Sequence, residues 1–88
     1  MKLLDLLGRR WVLRILWELR RESLGFRALQ DRCGEISPTM VSRRLNELCT
    51  AVIVCRNERA EYQLTKMGSE LVKMLLPLHL WAEKWAGL

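Results

Sequence analysis

Residues 36–48 read ISPTMVSRRLNEL, a stretch that predicts one helix with two different faces. Ser37 is a good N-cap, because its hydroxyl can accept a hydrogen bond from an unpaired backbone N–H of the first turn. Pro38 follows at the first helical position, where its missing N–H costs nothing. The face that is apolar at helical spacing, and that we expect to turn inward, carries Val41, Leu45 and Leu48.

The opposite face of this helix is short, polar and basic. Its members are Thr39, Ser42, Arg43, Asn46 and Thr50. An Arg side chain can bind O6 and N7 of guanine, and an Asn side chain can bind N6 and N7 of adenine. The face therefore favours a DNA recognition helix, although a surface helix that carries these side chains by chance explains this stretch alone equally well.

The composition of the chain predicts a single domain over residues 1–88, with a packed core. Half of the 88 residues are hydrophobic, which argues against disorder. Fifteen Lys and Arg against ten Asp and Glu give a net charge of +5, a moderate excess that suits an anionic partner. The most apolar run, residues 71–81, is too short and too polar to cross a membrane, and the amino terminus lacks the layout of a signal peptide. We expect a cytoplasmic protein with no membrane partner.

The cysteines and the histidine do not suggest a metal site. Cys33, Cys49 and Cys55 are odd in number and lack the CxxC spacing of zinc ligands. His79 has no second ligand near it in the sequence. We expect reduced thiols, no metal and no cofactor. Cys33 falls at an inward position of its helix, and a redox switch at Cys55 is the disfavoured alternative.

The amino-terminal half predicts two helices before the recognition helix. Residues 10–21 carry an apolar stripe wider than one helix face, so this helix is either central or covered by a second subunit. Residues 26–33 predict a shorter helix, and Gly34 just past it fits a left-handed residue. The leucines of residues 3–7 form a short apolar segment before the first of these helices. Two short helices, the second with a polar outer face, are typical of a helix-turn-helix.

The residues after the recognition helix predict a β-hairpin. Residues 52–55 are mostly β-branched and residues 61–64 alternate polar with apolar side chains, a pattern that favours two strands. Arg56 and Arg59 lie in the polar turn between them. Because an isolated hairpin is marginal in water, it must pack on the helices.

The last predicted helix, residues 66–86, has two broad apolar faces. Thr65 can cap it through its side-chain oxygen. Pro77 should kink or loosen the helix, because it removes one backbone hydrogen bond. One apolar face would pack on the domain's own core and the other on a second copy of the chain.

These elements, in this order, resemble the winged helix-turn-helix of the HxlR-type transcription regulators, relatives of the MarR group. The resemblance implies a mainly α fold with a small β-hairpin (α+β), a wing over residues 52–64, and dimerisation helices over residues 3–21 and 66–86. It covers nearly the whole chain and rests on Leu6-Leu7-Gly8 before Trp11, Phe26 with Leu29, Ile36-Ser37-Pro38, Ser42-Arg43-Arg44-Leu45 with Glu47-Leu48, and Glu61-Tyr62-Gln63-Leu64-Thr65 followed by Gly68.

The resemblance implies a homodimeric regulator that binds a near-palindromic site on double-stranded DNA. Arg44 lies nearer the inner stripe than its neighbours, so it either binds phosphate or pairs within the protein. The residues expected at the DNA are Ser37, Pro38, Thr39, Ser42, Arg43, Arg44, Asn46, Arg56 and Arg59.

The implied dimer forms through the first and last helices, where apolar residues are in surplus. Its tryptophans leave two interpretations open: they line a pocket for an unknown small-molecule effector, or they simply pack, which we favour. The residues expected at the interface are Leu3, Leu7, Trp11, Leu78, Trp81 and Trp85.

Some positions depart from the family's pattern. Val52 stands where the family usually has a glycine at the end of the recognition helix, and a β-branched residue is poorly suited to positive φ, so we expect a rebuilt exit. Arg27 stands where the family often has a Ser or Asn cap. The wing is short, which puts its reach into the minor groove in doubt. The amino-terminal segment that often carries a redox cysteine is absent, which weakens the interpretation as a thiol sensor.

Two other classes of function compete with DNA binding. A winged helix can serve as a protein–protein adaptor, but an adaptor would more often carry apolar or acidic residues on the outer face of its third helix. An enzyme is disfavoured, because the sequence lacks a carboxylate pair in a plausible cleft, a Gly-rich phosphate loop and a nucleophile–base pair. We therefore predict no catalytic residues.

Overall fold

A computed structural model describes residues 1–87 of the chain. The described residues form five helices and one antiparallel hairpin, in the order expected of a winged helix-turn-helix, which confirms the predicted fold class. Leu88, the last residue of the predicted domain, lies outside the described residues. The elements are α1 (Lys2–Leu7), α2 (Val12–Glu18), α3 (Phe26–Cys33), α4 (Pro38–Thr50), β1 (Val54–Arg56), β2 (Tyr62–Leu64) and α5 (Lys66–Ala86).

The prediction of one helix over residues 10–21 is wrong at both ends, because α2 covers only Val12–Glu18. The predicted dimerisation segment, residues 3–21, contains two helices, α1 and α2. Trp11 has a φ of 77°, a left-handed conformation that a right-handed helix cannot contain. The chain therefore turns between α1 and α2. At the other end, the N–H of Arg20 bonds to the carbonyl of Trp17, so the helix closes in a tighter last turn.

The core lies where α2, α3 and α4 meet, and β1 closes it. Helix α2 packs on α3, α3 on α4, and α4 on β1. Burying one large aliphatic side chain stabilises a fold by roughly 1.5–3 kcal/mol, so this small set accounts for much of the stability. The largest fully buried side chains are Ile15, Leu16, Leu29, Leu45, Leu48, Val12, Val41 and Val54.

The hairpin is shorter than predicted and is attached to the helices by a third segment. Its register pairs Val54 with Leu64 and Arg56 with Tyr62, so residues 52 and 53 lie outside the strands. The backbone N–H of Leu24 donates to the carbonyl of Tyr62 at 3.0 Å, and the N–H of Tyr62 donates back at 2.7 Å. This bridge holds the hairpin against the turn before α3.

The exit of α4 is a Schellman motif with Val52 in the position that usually requires glycine. The N–H of Val52 donates to the carbonyl of Cys49, and the N–H of Ile53 donates to the carbonyl of Leu48, both at 3.0 Å. Val52 has a φ of 61°, so the expectation of a rebuilt exit is wrong. The left-handed conformation costs a residue with a Cβ roughly 1–2 kcal/mol.

The start of α5 is tied to this exit. The side-chain oxygen of Thr65 accepts from the N–H of Gly68 at 3.0 Å, which confirms the predicted cap. The same hydroxyl donates to the carbonyl of Val52 at 2.6 Å, and the N–H of Thr65 donates to the carbonyl of Ile53 at 3.0 Å. Gly68 lies so close that a Cβ on it would be 2.0 Å from the carbonyl oxygen of Ile53.

Helix α5 is buried near its start and exposed over its second half. Gly68 and Val72 are buried, and the helix continues on both sides of Pro77, which was expected to kink or loosen it. Beyond Pro77 the large apolar side chains face solvent within the protomer. Those more than half exposed are Leu78, Leu80, Trp81 and Trp85.

We predict that Gly68→Ala destabilises the protein, although alanine normally favours a helix interior. The new Cβ would collide with the carbonyl of Ile53, and forced overpacking of this kind costs roughly 1–3 kcal/mol. Urea unfolding followed by circular dichroism measures the loss. Gly87→Ala is the control, because a Cβ there meets its nearest atom at 3.6 Å. Equal stability of Gly68→Ala and wild type would contradict the close approach.

We predict that Val52→Gly stabilises the protein, because glycine adopts φ of 61° without strain. The relief exceeds the entropy that glycine loses on folding, leaving a gain of about 0.5–1 kcal/mol. This corresponds to a rise in Tm of several degrees, since about 1 kcal/mol shifts a domain of this size by about 4–8 °C. Val52→Ala keeps a Cβ and should gain less. A Tm of Val52→Gly below wild type would refute the strain.

Candidate DNA-binding surface

The beginning of α4 has the predicted cap. The hydroxyl of Ser37 accepts from the backbone N–H of Met40 at 3.1 Å, and Pro38 is the first helical residue. Both Ser37 and Pro38 are exposed. A helix N-terminus carries a partial positive charge and N–H donors, so this end of α4 suits a phosphate group.

The outer face of α4 is free of the protein's own chain, as predicted. Thr39, Ser42, Arg43 and Asn46 are all exposed. Together with Pro38 and Glu47 they line one open, shallow concavity. A concavity lined by polar side chains along a helix can approach the edges of bases in a groove.

Arg44 pairs within the protein, which is one of its two predicted roles. Its Nε donates to the carbonyl of Arg10 at 2.9 Å, and its guanidinium pairs with the carboxylate of Glu47. Burial lowers the pKa of Arg44, and the nearby charges of Arg9 and Arg43 lower it further. An Arg still stays protonated at neutral pH. The contacts therefore favour a structural role for Arg44 over the predicted DNA contact.

Sequence reasoning missed Arg9. Its guanidinium forms an ion pair with the second carboxylate oxygen of Glu47. Glu47 thus joins Arg9, in the turn between α1 and α2, to Arg44 on α4. Arg9 and Glu47 lie 38 residues apart in the sequence, so no local pattern indicated their ion pair.

The wing places two basic side chains in solvent. Arg56 and Arg59 are exposed, and the guanidinium of Arg56 lies 5.7 Å from the ring centroid of Tyr62. The side-chain oxygen of Asn57 accepts from the N–H groups of Arg59 at 2.9 Å and Glu61 at 3.0 Å. This Asx turn shapes the tip of the hairpin. Arg56 and Arg59 are thus accessible, but they lie apart from the concavity on α4.

The cysteines lie in and beside the core. Cys33 is buried, as predicted, and burial raises its pKa. Cys49 and Cys55 are half-buried. Burial also raises the pKa of Cys49, and the nearby Cys55 adds to that effect. A raised pKa leaves less thiolate, so Cys33 and Cys49 are poor nucleophiles at neutral pH.

Two further findings concern residues 1–87. In that range no group of three or more His, Cys, Asp or Glu side chains is arranged to hold a metal ion. None of the helices described is long and apolar enough to cross a membrane.

The residues predicted for a dimer interface differ in their exposure. Leu7 and Trp11 are half-buried against the chain's own core, so part of the predicted surface is used inside the protomer. Trp81 and Trp85 are exposed and stack on each other, with ring centroids 6.5 Å apart and planes 12° apart. Of the other two, Leu3 is 36% exposed and Leu78 is 55% exposed.

Trp17 lines a concavity between α2 and α5, whereas Trp81 and Trp85 are exposed on α5. Trp17 lies between the guanidinium of Arg20, 3.8 Å from one of its ring centroids, and the imidazole of His79 at 4.4 Å. An apolar concavity lies elsewhere, where α1, the exit of α4 and α5 meet. It is lined by Lys2, Leu3, Leu6, Ala51, Ile53, Met67, Glu70, Leu71 and Met74.

The helix-turn-helix of α3 and α4, the hairpin and the exposed outer face of α4 define a winged helix-turn-helix protein. Residues 6–88 match the family model described as HxlR-like helix-turn-helix. The chain therefore belongs to the HxlR-like helix-turn-helix family, a family of transcriptional regulators.

Relatives support this assignment. The chain is 32% identical to the Bacillus subtilis protein YvaP, named as an uncharacterized HTH-type transcriptional regulator, over 96% of this chain and 83% of that protein. Its fold matches quinone-bound YodB from Bacillus subtilis with a TM-score of 0.87, at 30% identity, covering 94% of this chain and 93% of that one. A possible HxlR family transcription factor from Thermoplasma volcanium matches with a TM-score of 0.86, at 26% identity, covering 97% and 82%.

Proposed function

We propose that this protein is a sequence-specific DNA-binding transcriptional regulator that acts in the cytoplasm as a homodimer on a near-palindromic site. The observation that carries the proposal is the outer face of α4, which is exposed, polar and basic. Membership of a family of helix-turn-helix regulators adds independent support. A protein–protein adaptor would not need an Arg and an Asn aligned on this face.

Arg43 and Asn46 are the residues proposed to read bases. They are three residues apart and therefore neighbours on the helix surface. Arg43 suits a bidentate contact to guanine and Asn46 a bidentate contact to adenine, while the hydroxyls of Thr39 and Ser42 can bind bases or phosphate. Arg44 is left out of this set, because it is held by Glu47 and Arg10.

Phosphate contacts would position α4 in the major groove. The N-terminus of the helix, at Ser37 and Pro38, is suited to one phosphate. Arg56 and Arg59 on the wing are suited to the backbone or the minor groove beside it. These contacts add affinity without sequence preference.

The apolar second half of α5 is proposed to form the dimer. Soluble monomers rarely expose large contiguous apolar patches, and Leu78, Trp81 and Trp85 are more than half exposed. A second copy on this surface, joined by a two-fold axis, would place the paired α4 helices about 34 Å apart, one turn of duplex.

A small-molecule effector is also proposed. The similar YodB structure is named as quinone-bound. In this chain the apolar concavity between α1 and α5 is the feature that suits a small apolar molecule. Because this concavity lies at the first half of α5 and the proposed dimer surface at the second half of the same helix, a molecule bound there could alter the spacing of the two α4 helices.

We predict that Arg43→Ala weakens binding to a site selected from random duplex by roughly 1–3 kcal/mol and relaxes the preference at one base pair of each half-site. Fluorescence anisotropy with the selected duplex and its point variants measures both effects. Arg21→Ala removes the same charge from the exposed turn after α2 and should bind as wild type. If Arg43→Ala keeps the affinity and the sequence preference of the wild type, Arg43 does not contact the bases.

We predict that Trp81→Lys turns the dimer into a monomer while the protomer stays folded, because the indole is 59% exposed there. Losing a tryptophan at the centre of an interface costs roughly 2–4 kcal/mol of association free energy. Light scattering with size-exclusion chromatography measures the mass. Glu83→Lys is the control, because Glu83 lies two residues from both Trp81 and Trp85, on the other side of α5. A dimeric Trp81→Lys, or a monomeric control, contradicts the proposed face.

A further inference from the structure

Three guanidinium groups and one carboxylate meet where the α1–α2 turn touches α4. Arg9 pairs with one oxygen of Glu47 and Arg44 with the other. Arg43 lines the same concavity as Glu47. Asp5 lines a concavity together with Arg9 and Glu47, so two carboxylates face these three guanidinium groups. The cluster therefore carries one excess positive charge beside the outer face of α4.

The outer face of α4 continues onto the α1–α2 turn. Asn46 and Glu47 line the concavity on the outer face of α4. They also line a second concavity together with Lys2, Asp5 and Arg9, in which two positive and two negative charges are present. The two concavities are therefore neighbours that share one wall, and Arg9 lies beside that wall through its pair with Glu47.

The position of Arg9 along α4 matches the width of a DNA groove. Its partner Glu47 follows Pro38 by nine residues, which places it about 14 Å further along the helix axis at about 1.5 Å per residue. The major groove is about 12 Å wide, with phosphates along both edges. If α4 crosses the major groove with one phosphate at its N-terminus, a phosphate of the other strand would thus lie towards Arg9.

The backbone around Arg9 is held in place from both sides. Its N–H donates to the carbonyl of Leu6 at 3.1 Å, and its carbonyl accepts from the N–H of Val12 at 3.2 Å. The carbonyl of the next residue, Arg10, accepts from the side chain of Arg44 at 2.9 Å. A guanidinium has five N–H donors, so the pair with Glu47 leaves donors for an anion.

We propose that Arg9 binds a backbone phosphate on the edge of the major groove opposite the N-terminus of α4. Glu47 is a positioning residue in this arrangement: it holds Arg9 and Arg44 without contacting the DNA. The inference rests on the proposed function and adds a DNA contact that lies outside both the helix-turn-helix and the wing.

The test uses the full chain and a fluorescein-labelled 30-base-pair duplex of random sequence, titrated between 50 and 200 mM NaCl. In Arg9→Gln we expect weaker binding and a shallower salt slope, which is the slope of the logarithm of the binding constant against the logarithm of the salt concentration. This slope should be shallower by about 0.9 for each phosphate that is no longer neutralised. Over this fourfold range of salt, one phosphate corresponds to about 3.5-fold in affinity. Arg9→Lys keeps the charge and should keep the slope. Arg21→Gln removes the same charge elsewhere and should also keep it.

A double variant separates a phosphate contact from simple neutralisation of Glu47. Arg9→Gln with Glu47→Gln has the net charge of the wild type. Because Glu47→Gln also frees Arg44, the double variant is compared with Glu47→Gln alone. If Arg9 binds phosphate, the slope of the double variant is shallower than that of Glu47→Gln. If Arg9 only masks the carboxylate, the two slopes are equal and the proposal is overturned. Circular dichroism of each variant checks that the helices are retained.

The outcomes also separate this proposal from the proposed function. A wild-type chain that shows no salt-dependent binding to the duplex overturns both. Normal wild-type binding, a weakened Arg43→Ala and an unchanged slope in Arg9→Gln overturn the role of Arg9 alone.

Discussion

The burial of Val41, Leu45 and Leu48 on one side of α4 is the constraint on which the rest of the structure depends. Each of these side chains is at most 1% exposed. Because each residue turns a helix by about 100°, sealing this stripe in the core leaves Arg43 and Asn46 in solvent. Unpaired polar groups are costly to bury, so the two faces of α4 cannot exchange. The core thereby orients the candidate DNA-binding face.

The end of α4 and the start of α5 form one junction. The carbonyl of Ile53 accepts from Thr65 and lies against Gly68, while the hydroxyl of Thr65 binds the carbonyl of Val52. The helix proposed to read DNA and the helix proposed to form the dimer therefore meet through short hydrogen bonds. Such a junction suits a dimeric regulator, because the separation of its two α4 helices must match the duplex.

Most of the fold was predictable from local pattern, since caps and apolar periodicity depend on residues within a turn or two of each other. Ser37 and Thr65 cap α4 and α5 as predicted. The turn at Trp11 was not predictable, because its half-buried side chain packs against a core assembled from distant segments. Val52 was misjudged for a related reason: the hydrogen bonds that end α4 outweigh its resistance to positive φ.

By itself, the sequence determined which side of α4 is polar, and so which residues could read DNA. Only the tertiary structure decided which charges are free to do it. Arg43 and Arg44 are adjacent and identical, yet Arg44 is held by Glu47 and by the carbonyl of Arg10. Arg9 reaches the same carboxylate from a distant part of the chain. The physical reason is that Arg44 and Glu47 are three residues apart on one helix, whereas Arg9 and the carbonyl of Arg10 are brought to them by long-range packing, which the spacing of neighbouring residues does not indicate.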